Sequence, residues 1–491
     1  MLKEFDSPAQ SETKKIKEEI KELREEIVLM QQKIKEAGLP VFVIVEGWSA
    51  AGKGTLIRNL IKQIDPRFFH VIHDSVIPET ERQYPFLYPY ASAMPENGQI
   101  TFLDAGYMDE AVKKHVRREI TDKTFKQWVR SVNQFERTLK DNGYVMLKIF
   151  LHIDKDEQFA HLENLRSNAE TAWRATDEDL WQNSQYDLFL EEFDEFMKLT
   201  DEYEGWHIIS GYSRSQATRD VLKLLVEKIE TALKNGKYTG DPVRESFPLI
   251  KMPKLSEVDL TPTITDEEYS RELDRLQEKL AEQHNIIFRK KIPVILCYEG
   301  WDAAGKGGNI RRVAAPLDPR SFIVEPIASP EPHELARHYL WRFWTRLPKS
   351  GTITIFDRTW YGRVMVERLE NLCSEKDWKR AYNEINEFER DLTEWGALIL
   401  KFWLHIDSDT QLDRFNDRQN TPEKQWKITD EDWRNRDKWD DYEKAVNEML
   451  AKTSTENAPW YIIESNDKQY ARIRTLTIIT NAIEKAIENK I

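Results

Sequence analysis

Two cysteines, Cys297 and Cys373, are all that 491 residues provide, and Cys297 sits inside an apolar run. That excludes a disulfide framework and points to a reducing cytoplasm. No stretch approaches the roughly 18 consecutive apolar residues of a membrane span, so no membrane insertion is expected. The opening MLKEFDSPAQSETKKIKEEIKE lacks the apolar core of a secretory signal. Positive charge is also short: 72 Lys and Arg stand against 86 Asp and Glu, a net charge of −14. That balance argues against nucleic acid, and any polyanion site must be a local concentration of cations. What remains, 40% hydrophobic and 32% charged, describes a soluble globular protein whose length calls for two or more domains.

One further absence is local. In VILCYEGWDAAGKGG, residues 294–308, an apolar strand runs into Gly-x-x-x-x-Gly-Lys, the pattern of a phosphate-cradling loop. The Ser or Thr whose hydroxyl ordinarily holds Mg²⁺ is missing, because Lys306 is followed by Gly307 and Gly308. The same pattern occurs earlier, in VFVIVEGWSAAGKGT, and the two copies align at a constant offset of 253 residues. The offset carries Asp104 onto Asp357, QFERTL onto EFERDL, LHIDKDEQ onto LHIDSDTQ and one TDED onto another. It slips by one only near Trp206 and Trp460. The chain is a tandem repeat, with domains expected at 1–234 and 263–491 and a Pro-, Gly- and charge-rich linker at 235–262.

Each repeat opens with an amphipathic helix whose apolar stripe is Ile16, Ile20, Leu23, Ile27, Met30 and Ile34 in the first copy. Tyr269, Leu273, Leu276, Leu280 and Ile287 form it in the second. Such a helix either docks on its own domain or pairs with another chain. A strand, the loop, a helix and a strand ending in Asp104 or Asp357 follow, then the apolar runs VMLKIFLHI and LILKFWLHI, and finally WHIIS and WYIIE. Strands alternating with helices give an α/β fold, a parallel sheet flanked by helices on both sides.

In the second repeat Gly300, Gly305, Gly307 and Gly308 let backbone N–H groups approach a phosphate, the next helix offers its N-terminus, and Lys306 supplies a point charge. Asp357 and Asp302 are candidates for the missing metal ligand, with a loop-capping role as the alternative for Asp302. Arg311, Arg312, Arg337, Arg342, Arg346, Lys349, Arg358, Arg363 and Arg368 follow the loop, and Arg414, Arg418, Lys424 and Lys427 come later. Around a phosphate loop in an acidic protein, this concentration suggests a track for a long phosphate chain. The first repeat keeps Gly47, Gly52, Lys53, Gly54 and Asp104, but has Ser49 for Asp302, Ala105 for Arg358 and Glu110 for Arg363. It reads as a degenerate, supportive or regulatory copy.

EGWDAAGKGG, FDRTWYGRVMVE and RQNTPEKQWKITDED together resemble the polyphosphate kinase 2 family, and the duplication resembles its two-domain branch. The resemblance implies tandem P-loop kinase-like domains of thymidylate-kinase-like fold, a helical lid, Mg²⁺, and inorganic polyphosphate as phosphoryl donor to AMP. It implies catalytic roles for Asp302, Lys306, Asp357, Arg358 and Arg363, and places Arg414, Arg418 and Lys424 in the lid. Thr359 and Gly362 stand where the family's second motif commonly has Ser and Asn. ADP or GDP as acceptor, or ATP as donor, are the rival readings. The fused domains can pack as a pseudo-symmetric pair in place of a dimer of single domains, which leaves a homodimer of the whole chain open.

Overall fold

The computed structural model describes residues 1–5, 13–73, 83–236 and 245–489, without the side chains of Thr13, Lys424 and Lys427. Two compact units emerge. One takes in Met1–Arg82, Phe86–Asp241 and Glu331–Trp341; the other takes in Gln83–Pro85, Pro242–Pro330 and Arg342–Ile491.

Unit 1 contains strands β1 (Val41–Gly47), β2 (Phe69–His73), β3 (Ile100–Asp104), β4 (Val145–His152) and β5 (Trp206–Ser210). Unit 2 repeats them as β6 (Val294–Gly300), β7 (Phe322–Pro326), β8 (Ile353–Asp357), β9 (Leu398–His405) and β10 (Trp460–Glu464). Both sheets are wholly parallel, in the orders β2-β3-β1-β4-β5 and β7-β8-β6-β9-β10. The β-branched run of β1 is buried at every position, as a central parallel strand covered on both faces must be. Strand order reverses about β1 and β6, so a crevice opens beyond the carboxyl end of each central strand. The register that pairs Tyr298 with Asp357 and Gly300 with Leu404 brings the loop, the strand-end aspartate and β9 to that one edge.

Strands β2 and β7 are not among those the sequence pattern predicts. They are edge strands, largely exposed in β2 and mixed in β7, so they lack the apolar run that marks a buried strand. The open question of the amphipathic helices is resolved within each unit. Ile16, Ile20, Ile27, Met30 and Ile34 of Thr13–Ala37 are buried, and this helix packs along Arg214–Asn235. Asp266–Lys290 packs along Lys468–Glu488, with Gln283 Nε2 donating to the Thr480 carbonyl at 2.8 Å and Lys279 pairing with Glu484 at 3.0 Å.

Part of the expected linker, residues 237–244, lies outside the described residues. From Glu245 the chain is held against unit 2: Glu245 pairs with Arg390 at 2.6 Å, Leu249 bridges Thr455, and Leu255 is buried. The segment Glu331–Trp341 comes from the second repeat yet belongs to unit 1. There Asn97 N donates to the Ala336 carbonyl at 2.7 Å and Trp341 Nε1 to that of Ser92 at 3.0 Å. Among the described residues no helix is long and apolar enough to cross a membrane.

Candidate active site

In unit 2 the loop after β6 turns on three residues in the left-handed region: Gly300 (φ 149°), Ala303 (φ 61°) and Gly305 (φ 109°). Gly300 is glycine for packing, since a Cβ there would lie 2.6 Å from the Leu404 carbonyl oxygen. Gly305 caps the helix Lys306–Ala314. A Cβ on Gly307 would meet nothing within 4 Å, so the start of this helix faces open space, whereas Gly308 turns toward Arg472 and Arg312. Lys306 bends back and donates to the Gly300 carbonyl at 2.7 Å.

A cleft beside the loop is lined by Lys306, Asp302, Arg358, Glu299, Asn435 and Tyr442, among others. Trp301 forms part of its wall, stacked on Trp439 at 3.7 Å and 8°. Asp302 accepts a hydrogen bond from Asn435 Nδ2 at 3.0 Å, and its other oxygen lies 3.7 Å from Arg358 Nη2. Arg358 itself is left-handed (φ 66°), its N–H donating to the Tyr298 carbonyl at 3.0 Å. A bulky residue in that conformation costs on the order of 1 kcal/mol, so the backbone spends strain to aim this guanidinium. Asp302, Glu299, Glu431 and Asp357 all act electrostatically on it and, against the desolvation of burial, hold its pKa above the usual arginine value.

Glu299 is a site residue that the sequence reading missed, although EGW occurs in both copies of the repeat. It is buried, and its Oε1 accepts from Thr359 N at 2.8 Å and Thr359 Oγ1 at 2.7 Å. Burial raises its pKa to about 7, opposed by those hydrogen bonds and by Lys306 and Arg358. Gly362 also lines the cleft, so the backbone is close where the family pattern has an amide side chain.

Two of the expected phosphate contacts, Arg414 and Arg363, are engaged with the protein itself. Arg414 Nη1 donates to the Ala303 and Ala304 carbonyls (3.0 and 3.2 Å), and Nη2 to those of Ser465 and Asn466 (2.7 and 2.9 Å). It is a strut holding the loop to the end of β10, and burial lowers its pKa to about 10, helped by Arg418. Arg418 is half-buried on the helix Ser408–Asn420. The Lys424 side chain lies outside the described residues. Arg363 pairs with Glu367 at 2.9 Å and is not among the residues lining the cleft.

The arginine track is likewise partly structural, because the fold delivers carboxylates that sequence proximity does not show. Arg346 lies 3.5 Å from Glu325, and Arg368 lies 2.6 Å from Glu448. Arg337 belongs to unit 1, where it pairs with Glu96 at 3.0 Å and donates to the Met94 carbonyl.

Unit 1 keeps the backbone and changes the chemistry. Gly52 (φ 97°) caps Lys53–Leu60, Lys53 donates to the Gly47 carbonyl at 2.9 Å, and Ala105 repeats the left-handed turn at φ 67°. Asp104 lies 3.6 Å from His73. The Ser49 N–H donates to Gln182 Oε1 at 2.9 Å, and Gln158 donates to the same oxygen, with no carboxylate at position 49.

Among the described residues no three His, Cys, Asp or Glu cluster as metal ligands. Mg²⁺ needs fewer, since it keeps several waters and takes one or two carboxylates plus phosphate oxygens. In unit 1 a Cβ on Gly54, the position of the absent hydroxyl, would lie 3.3 Å from Asp104 Oδ2; in unit 2 the matching Gly307 has nothing within 4 Å, and Asp302, not Asp357, lines the cleft.

A parallel sheet in this order, with a glycine-lysine loop at the end of its central strand and an aspartate ending the next, defines a P-loop kinase-like protein, here in tandem. The sequence model for "Polyphosphate kinase 2 (PPK2)" matches residues 10–237 and again 263–490. The chain belongs to the polyphosphate kinase 2 family. It is 38% identical over 469 residues to a polyphosphate:AMP phosphotransferase of Pseudomonas syringae pv. tomato, covering 94% of each chain. It is 36% identical to one of Pseudomonas aeruginosa, covering 95% of each. A crystal structure assigned as a polyphosphate kinase 2 from Pseudomonas aeruginosa PA01 superposes with a TM-score of 0.85 at 34% identity, over 100% of both chains.

Proposed function

We propose that the protein transfers the terminal phosphoryl group of inorganic polyphosphate to AMP, giving ADP, and that unit 2 does the chemistry. The observation that carries this reading is the convergence of Lys306, Asp302 and Arg358 on one cleft, in a chain similar over its full length to two-domain enzymes named for that reaction. Unit 1, with Ser49 and Ala105 at the matching positions, is the supporting copy.

The acceptor oxygen of AMP is already anionic, so the barrier lies in bringing two polyanions together in line. Lys306 is held by the Gly300 carbonyl and has no carboxylate partner among the described residues, so it can turn to a phosphate at the helix start. Arg358 offers a planar fork beside Asp302, suited to two oxygens at once. Asp302 orients the acceptor side of the cleft, and Trp301, braced by its stack on Trp439, forms part of the wall. Asp357, with Asp302, would hold Mg²⁺, which when bound supplies positive charge to the phosphate oxygens. Free thiols and strongly anionic substrates suit the cytoplasm.

The test is ADP formation from AMP, long-chain polyphosphate and Mg²⁺. Lys306→Ala should lower kcat by about 10²–10³, while Lys53→Ala stays within about twofold of wild type. ATP formed directly from ADP would move the acceptor assignment. Turnover with ATP but not polyphosphate would overturn the donor.

A further inference from the structure

A chain of hydrogen bonds reaches Asp302 from behind the cleft of unit 2. Tyr442 Oη donates to Asn435 Oδ1 at 3.3 Å, and Asn435 Nδ2 donates to Asp302 Oδ2 at 3.0 Å. The second Asp302 oxygen then faces Arg358 at 3.7 Å. Asn435 comes from the helix Asp430–Asp437 and Tyr442 from Trp439–Thr453, whereas Asp302 and Arg358 come from the ends of β6 and β8.

Each link orients the next. Burial and the nearby Glu370 and Asp302 carboxylates push the Tyr442 pKa up, so its hydroxyl remains a donor. With that donor on the Asn435 oxygen, the amide N–H₂ group is left to face the carboxylate. An ionised carboxylate can only accept, so one donor fixed on Oδ2 stops its rotation and aims Oδ1 at Arg358.

Unit 1 is an internal control. Its residues matching Tyr442, Asn435, Asp302 and Arg358 are Phe189, Gln182, Ser49 and Ala105. None of the three side-chain links is kept: Gln182 instead accepts from the Ser49 main-chain N–H at 2.9 Å. The packing beside them survives: Trp48 stacks on Tyr186 at 4.0 Å as Trp301 stacks on Trp439. The fold therefore does not require the chain of bonds.

We propose that Asn435, backed by Tyr442, is a positioning residue for Asp302 in phosphoryl transfer. The proposal rests on the functional reading above through the role given there to Asp302.

Kinetics of the full-length protein with AMP, polyphosphate and Mg²⁺ test it. Asn435→Leu keeps the volume and removes both links; it should lower kcat about 10-fold or more while the KM for polyphosphate changes less than about twofold. Tyr442→Phe, the residue unit 1 carries, should lower kcat about two- to fivefold at unchanged Tm. In an Asp302→Asn background Asn435→Leu should have no further effect, because a residue acting through another loses its influence when that one is gone. A full multiplicative loss in that background would overturn the proposal, as would wild-type kcat in Asn435→Leu. If Asn435→Leu lowers the Tm, Tyr442→Phe decides: wild-type kcat there also overturns it. A wild type that does not turn over polyphosphate with AMP overturns the functional reading and this role with it. Wild-type turnover matched by Asp302→Asn would remove the positioning role and leave the substrates standing.

Discussion

Lys401 and Glu389 form an ion pair with no access to solvent, Nζ lying 2.7 Å from Oε2 on side chains that are 0% and 1% exposed. Every proton of the ammonium is used, on Glu389, the Thr453 carbonyl and the Tyr361 hydroxyl. Glu389 Oε1 also accepts from Trp360 Nε1 at 3.0 Å and Tyr361 Oη at 2.6 Å. Those two aromatics follow Arg358 and Thr359 directly, so the pair anchors the segment that carries the site's arginine. Unit 1 holds the matching ion pair, Lys148 and Glu136 at 2.8 Å.

Breaking one partner should therefore cost far more than removing both. Burial already pulls the Lys401 pKa down against the opposing pull of Glu389. Lys401→Met leaves a buried carboxylate uncompensated and should destabilise unit 2 by about 3–5 kcal/mol, whereas Lys401→Met with Glu389→Leu should lose clearly less. Chemical denaturation followed by tryptophan fluorescence measures both. A double variant no better than the single would mean that the other hydrogen bonds, not the charges, dominate.

That pair also marks a limit of legibility. LILKFWLHI reads as an almost continuous apolar strand, and β9 is one; the lysine in its middle looks like an interruption until EFERDL is placed beside it by the fold. The fold class was legible because the repeat preserved its elements at one offset: the loop, the strand-end aspartates and the helix stripes, of which the loop borders the candidate cleft. The destinations of the arginines were not. Arg414 reaches four carbonyls and Arg368 a carboxylate 80 positions along the chain, contacts that no local spacing encodes. Glu299 was overlooked for the opposite reason, since one carboxylate beside a glycine-rich loop has no spacing partner until Thr359 is brought to it.

His405 ties stability to pH. Trp301 Nε1 donates to His405 Nδ1 at 3.0 Å, which leaves Nε2 with the ring proton, directed at the Leu255 carbonyl 3.1 Å away. Burial lowers the pKa of this ring from 6.5 to about 4. The unfolded chain therefore binds more protons than the folded one between those values, so stability falls as pH falls through that window and is fully present above it. His405→Gln can accept from Trp301 and donate to Leu255 without titrating. Between pH 7 and 4.5 wild type should lose about 2–3 kcal/mol more stability than this variant. Equal losses would mean that the folded protein protonates this ring as readily as the unfolded chain does.

Two glycines of one loop should respond in opposite directions to an added methyl. On Gly300 it would sit 2.6 Å from the Leu404 oxygen and 2.9 Å from its nitrogen, both main-chain atoms of β9 that cannot give way without breaking the ladder. It would also occupy a φ of 149°. Gly300→Ala should therefore destabilise unit 2 by more than about 1 kcal/mol, and activity should fall with the folded fraction. Gly307 differs on each count. It lies in the first turn of Lys306–Ala314, outside the left-handed region, with nothing within 4 Å of the place a methyl would take. Gly307→Ala should raise the stability of unit 2 by about 0.5–1 kcal/mol, because alanine is the better helix former and restricts the unfolded chain. The open space beside it is where a phosphate would approach the helix N-terminus, so the same methyl should raise the KM for polyphosphate or lower kcat about 10-fold or more. Tm and ADP formation measured on the two variants decide the matter. A Gly307→Ala protein that is both more stable and fully active would place the phosphate elsewhere on the loop.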